Sequence, residues 1–111
     1  MKPADSRYLA YAANSIDLVV EWTAGGREQF LNEVRTQAAV LYWLQTLTQA
    51  LRDMTDERRA RYPEVPFRAM SGLRTVIVHD YLSLEMEIIW SIVEEHIPLL
   101  KPQIARMLAE L

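Results

Sequence analysis

The sequence has no cysteine, which excludes disulfides and thiolate metal sites and agrees with a reducing compartment. It has only three glycines in 111 residues. With leucine, alanine, glutamate, glutamine and arginine abundant, helix is the favoured local structure. No apolar run approaches the ~20 residues that a membrane span requires. The first residues, Met-Lys-Pro-Ala-Asp-Ser-Arg, carry no apolar signal core behind their charges. A soluble, cytoplasmic protein with no membrane partner is therefore expected. Positive charge is also scarce. The formal net charge is −3, which argues against a general nucleic-acid binder. Residues 75–100 hold five carboxylates and no lysine or arginine, whereas residues 52–74 hold six arginines against four carboxylates. A mildly basic stretch thus leads into an acidic one.

Half of the residues are hydrophobic, enough for one core, and the length predicts one domain over 1–111. Leu9, Ala12, Ala13, Ile16, Val19 and Val20 recur at helical spacing, with Asp5 or Ser6 as the expected cap and Thr23-Ala24-Gly25-Gly26 as the stop. Arg27 to Leu31 predicts one short helical turn. Val34, Ala38, Leu41, Leu44, Thr48, Leu51 and Met54 then predict a helix of about 25 residues, the spine of a bundle. Tyr42 and Trp43 lie beside its stripe, as core or as a subunit contact. Pro63 and Pro66 end that region, and Pro66 suits the first turn of the next helix. That helix is expected to turn Phe67, Met70, Leu73 and Ile77 inward. Thr75-Val76-Ile77-Val78 reads equally well as a short strand, but the chain offers no second strand to pair with it. Ser83 is the expected cap of a further helix, apolar on more than one side and so in need of two neighbours. Pro98 and Pro102 kink or restart it, and Ile97, Leu100, Ile104, Met107, Leu108 and Leu111 carry helical spacing to the last residue.

The stretch with chemistry in it is Arg74-Thr-Val-Ile-Val-His79-Asp-Tyr81. Arginine is a permanent cation whose planar fork fits phosphate oxygens. Histidine exchanges protons near neutral pH, and tyrosine adds a phenolic hydroxyl. RNA carries its own nucleophile, the 2′-hydroxyl, so an imidazole and a guanidinium suffice to cleave it without a metal. On one straight helix, however, Arg74 and His79 stand about 140° apart and roughly 7.5 Å along the axis. The helix must end near His79, or a second copy must complete the site across a twofold axis. On spacing alone, a salt-bridged surface arginine and a packed histidine remain open. Other groups are weaker. His96 beside Glu94 and Glu95 lacks further ligands, Glu85 and Glu87 face apart, and Ser71-Gly72 has no phosphate-loop pattern.

The residues around this stretch resemble a known family. Arg74-x4-His79-x-Tyr81 is similar to the Arg-x4-His-x-Tyr motif of the HepT-like toxins of the HEPN ribonuclease superfamily. Arg61-Tyr-Pro-Glu-Val-Pro-Phe-Arg68 resembles the family's Arg-Tyr-Pro-Glu-Ile-Pro-Trp-Arg. Met70-Ser-Gly-Leu-Arg74 resembles Ile-Ala-Gly-Met-Arg, and Leu84-Glu-Met-Glu-Ile-Ile-Trp90 resembles Val-Asp-Leu-Glu-Ile-Val-Trp. The resemblance covers nearly the whole chain. It implies an all-α, antiparallel HEPN-type bundle of about five helices, homodimeric, with the motifs facing each other in a cleft. It implies a metal-independent endoribonuclease toxin acting on an RNA substrate without a cofactor, with Arg74 and His79 as the catalytic positions. It also implies a cognate MntA-type nucleotidyltransferase antitoxin that adenylylates Tyr81. Each added AMP brings negative charge and bulk to a site for a phosphate backbone.

The chain departs from the family on the long helix. Tyr42, Gln45 and Gln49 stand where many members carry an arginine and two glutamates, so a more apolar and neutral cleft is expected. This departure motivates an alternative, a non-catalytic HEPN subunit that binds the nucleotidyltransferase and a nucleotide or RNA. Arg58, Arg59, Arg61 and Arg68 are the further expected RNA contacts.

Overall fold

The structure is a computed structural model and describes residues 3–111. Its described residues form seven α-helices and one 3-10 turn: α1 Pro3–Trp22, α2 Arg27–Asn32, α3 Val34–Arg52, α4 Asp56–Ala60, α5 Phe67–His79, the turn Tyr81–Ser83, α6 Met86–Glu95 and α7 Ile97–Ala109. Five helices have ten residues or more, and α2 and α4 are short additions to that frame. The all-α class follows, and no strand occurs among the described residues.

The long helix α3 lies between α1 and α5 and also touches α2, while α7 packs on α1 and α6. From α1 the core takes Leu9, Ala12, Ile16 and Val19; from α3 it takes Val40, Leu41, Leu44, Leu47 and Leu51. The β-branched run settles as helix because Met70 and Ile77 bury against this core, with Phe67 and Leu73 partly covered. Val76 and Val78 are partly exposed, at 43% and 40%. Phe30 of α2 meets Trp90 of α6 with ring centroids 5.6 Å apart. Gly26, at φ 90°, caps α2 in a conformation that disfavours any side chain.

Several boundaries differ from the periodicity. α1 already includes Pro3, so neither Asp5 nor Ser6 caps it. Asp5 is buried instead, accepting from the backbone N–H of Thr55 at 2.9 Å and from its hydroxyl at 2.7 Å. Thr55 in turn caps α4, accepting from the Arg58 N–H at 3.2 Å. This cap, locked by a residue fifty positions earlier, stops α3 at Arg52 and starts a separate helix. Met54 is buried beyond the end of α3, while Val34 and Ala38 at its start are exposed. Pro66 occupies the cap position just before α5 rather than its first turn. Ser83 does not cap α6: it is wound into the 3-10 turn, Leu84 and Glu85 are extended, and Glu85 takes the cap position without a side-chain bond. Pro98 lies in the first turn of α7, which restarts the chain after His96, and Pro102 lies inside α7. Val20 and Leu111 are exposed rather than turned inward.

The Pro63–Pro66 turn that feeds α5 is held from the far end of α7. The Tyr62 hydroxyl donates to Glu110 Oε1 at 2.7 Å, and Arg106 Nη1 donates to Glu64 Oε1 at 3.0 Å. The Arg106 guanidinium carbon also sits 5.3 Å from the centre of the Tyr62 ring, within cation–π range. The start of the motif helix is thereby fixed by contacts across the bundle.

Candidate functional site

The helix carrying Arg74 and His79 ends at His79. The Asp80 N–H still donates to the Val76 carbonyl at 2.8 Å, but Asp80 at φ −121°, ψ 31° leaves the helical path. Tyr81–Ser83 then form one 3-10 turn, closed by the Ser83 N–H on the Asp80 carbonyl at 2.9 Å. A helix end near His79 is one of the two arrangements that the angular separation of Arg74 and His79 left open. His79 is exposed, and Tyr81 is 50% exposed.

Arg74 is different. It is half-buried, and its Nε is a buried polar atom without a hydrogen-bond partner. No ion pair to Arg74 occurs among the described residues. A buried N–H left unpaired costs about 1–3 kcal/mol, and no protein group among the described residues pairs with this one. A phosphate oxygen is one group that satisfies it.

The four flanking arginines are not equivalent. Arg58 is only 8% exposed and sits beside Tyr62 and Glu110, lowering the proton affinity of both. It is therefore unavailable for a surface contact with RNA. Its charge reads as solvated in the linear sequence, but the Tyr62–Glu110 contact across the bundle draws it inward. Arg59 pairs with Asp56, and Arg61 pairs with Glu57 at 3.4 Å. Arg68 is exposed and without an ion pair among the described residues. The carboxyl of Glu110 is held below its usual range chiefly by the Tyr62 hydroxyl, and the Tyr62 phenol is pushed up by Glu110 and by burial.

Next to the motif, Leu73, Val76, Leu84, Ile88 and Ile92 line a hollow of about 400 Å³, to which Asp80 and Glu85 also contribute. Ile88 of α6, a helix expected to need two neighbours, is 56% exposed. Elsewhere, Glu87 pairs with Arg27 at 3.5 Å. Among the described residues no group of three His, Asp or Glu side chains is placed to hold a metal, and no helix is long and apolar enough to cross a membrane. Between α1 and α3, Tyr8, Tyr11 and Asn14 line a groove with Trp43, Gln45 and Gln49. The spacing along α1 points to its buried face and is silent on these residues.

The family model described as ribonuclease HepT-like matches residues 12–107. The chain belongs to this family. Its HepT-like membership places the motif helix, the Tyr62-Pro63 turn and α6 within the matched region. A "Probable ribonuclease HepT" of Thermococcus cleftensis is 31% identical over 108 residues, covering 96% of this chain and 98% of that protein. A "Putative RNase MJ1380" of Methanocaldococcus jannaschii is 30% identical over 87 residues, covering 78% of this chain and 80% of that protein. No solved structure matches the chain.

Proposed function

We propose that this HepT-like chain is an endoribonuclease toxin that works without a metal, as a homodimer with the two motifs facing each other across a cleft. The observation that carries the reading is the state of Arg74: a guanidinium with a buried, unpaired Nε, one helical stretch before a histidine exposed at the end of α5. Arg74 holds the non-bridging oxygens of the scissile phosphate and stabilises the charge that grows on them. The neutral His79 imidazole takes the 2′-hydroxyl proton as the 2′-oxygen bonds to phosphorus. An imidazolium protonates the 5′-oxygen as its bond to phosphorus breaks. The products are a 2′,3′-cyclic phosphate and a 5′-hydroxyl. Within a dimer, His79 of each copy can supply one of these proton transfers, which relieves the angular separation of Arg74 and His79 on a single helix.

Tyr81 is the regulatory position in this reading. A partner nucleotidyltransferase of the MntA type adenylylates it, and the added AMP groups repel and block the RNA backbone. Support comes from the half-exposed phenol in a short turn, within reach of a second enzyme. The names of the relatives point to RNase activity in those proteins.

The test is cleavage of labelled RNA by purified protein in the presence of a chelator. Wild type should cut and leave cyclic phosphate ends, and His79→Ala should be slower by about 100- to 10,000-fold. Equal rates for the two proteins would end the assignment. The alternative, a non-catalytic subunit, is favoured by the uncharged set Tyr42, Gln45 and Gln49 on α3. It predicts no growth arrest on expression of wild type alone, together with tight binding to the nucleotidyltransferase.

A further inference from the structure

Two hollows adjoin between α5 and α6. The one beside the motif and a second of about 380 Å³ share Leu73 and Ile92, and the second runs on to Leu99 and Gln103 of α7. Together they form a trough. The helices that wall it lean on different neighbours: α5 packs on α3, whereas α6 packs on α2 and α7. Its lining is mainly aliphatic, and Ile88 and Leu99 are more than half exposed along it. The fixed charges beside it are of one sign. Asp80 and Glu85 contribute to the motif end and have no ion pair among the described residues. Glu64, paired with Arg106, contributes to the far end. No lysine or arginine lines either hollow, and His96 is the only basic side chain there. On α5, Val76 stands about 160° round from Arg74, so the trough and the guanidinium lie on different flanks of the helix.

We propose that this trough is the docking groove for a partner protein, and that it takes an amphipathic helix with lysine or arginine beside its apolar face. Such a helix lays its apolar face into a hydrophobic groove, and a contiguous exposed apolar patch marks a surface that another molecule covers. The charges decide which molecule. A twofold contact between copies, centred on the trough, sets Asp80 and Glu85 of one copy against the same carboxylates of the other. No lysine or arginine stands between them, and like charges brought face to face oppose association. A phosphate backbone is opposed in the same way. Basic side chains flanking a partner's helix meet these carboxylates with the complementary sign. The proposal goes beyond the ribonuclease reading and does not depend on it. Asp80 and Ser83, on either side of the half-exposed Tyr81, line the motif end, so a helix seated in the trough lies beside that turn.

The experiment is fluorescence anisotropy with the full-length chain and a labelled peptide of about five helical turns. The peptide carries leucine along one face and lysine on either side of it, and a twin carries glutamate in place of lysine. Wild type should bind the lysine peptide about tenfold more tightly than the twin. Asp80→Asn/Glu85→Gln should remove most of that preference. Glu21→Gln/Glu28→Gln, the same loss of charge at residues outside the trough, should retain it. Ile88→Gln and Leu99→Gln should each weaken binding of the lysine peptide about fivefold or more, with melting temperatures close to that of wild type. Equal binding of the two peptides by wild type overturns the proposal, as does a preference lost equally in both charge variants. Unchanged affinity in both Ile88→Gln and Leu99→Gln overturns it too. So does a fall in sedimentation coefficient for Ile88→Gln without peptide, which assigns the trough to a contact between copies. The assay reads no cleavage, so a chain that cuts no RNA tests the trough equally well.

Discussion

Replacing Arg74 by methionine should stabilise the fold while removing cleavage. Methionine keeps an unbranched stem of similar reach and packs in irregular gaps, but it buries no N–H. In the native chain the Arg74 Nε is buried and unpaired, and such a donor costs about 1–3 kcal/mol. The side chain as a whole is only half-buried, so part of the guanidinium keeps its water and the lower end of the range applies. Unfolding entropy of about 2.1 cal/mol/K per residue over 111 residues gives roughly 0.23 kcal/mol/K for the chain. A gain of about 1 kcal/mol then raises Tm by about 4 °C. Circular dichroism on heating reads the Tm, and cleavage of labelled RNA reads the activity. Arg74→Lys retains the charge without the Nε or the planar fork, so it should share the loss of activity. A Tm for Arg74→Met below that of wild type, or cleavage at the wild-type rate, would refute the reasoning: the first because Nε must then be satisfied in solution, the second because no guanidinium is needed.

Ile77 is 1% exposed on the core side of the same helix, so Ile77→Ala should cost about 2–5 kcal/mol and lower the Tm by roughly 9–20 °C. The Tyr62–Glu110 contact makes stability depend on pH at both extremes. Glu110 has its folded pKa lowered from 4.5, so its contribution is present above that value and is lost as pH falls through the lower folded value. Tyr62 has its folded pKa raised from 10.0, so its contribution is present below that value and is lost as pH rises through the higher one. Urea titrations across pH should show Tyr62→Phe flattening both limbs relative to wild type; identical profiles would remove the contact from the account. Tyr81→Phe should still cut RNA and should gain no AMP-sized mass increments on co-expression with the nucleotidyltransferase. Increments that persist on the variant would place the modification elsewhere.

The helical stripes were legible because burial follows a period that depends on local sequence alone. Leu9, Ile16, Leu44, Leu51 and Ile77 all lie inside, where their spacing placed them. The ends of α3 and α6 were not legible. The break after Arg52 depends on Thr55 meeting Asp5, and the start of α6 depends on a 3-10 turn that shifts the cap from Ser83 to Glu85. Periodicity holds no information on a bond between residues fifty positions apart. The same limit explains Arg58. Counted with its neighbours it is one more surface cation, but Tyr62 and Glu110 give it a buried place. For the candidate site, geometry on a straight helix showed that Arg74 and His79 do not converge, and the observed end of α5 at His79 agrees. The unpaired Nε of Arg74 was invisible in the sequence, since it depends on which atoms of a long side chain lose their water.

The turn after α5 has a consequence for how such a protein could be silenced and released. Tyr81 is half in solvent and Leu82 is 98% exposed, while Ile77 beneath them is fully packed. A group attached to the Tyr81 oxygen projects outward from a three-residue turn and displaces no core side chain. A group carried there would add its charge and bulk at the surface, with the buried Ile77 side of α5 left as it is.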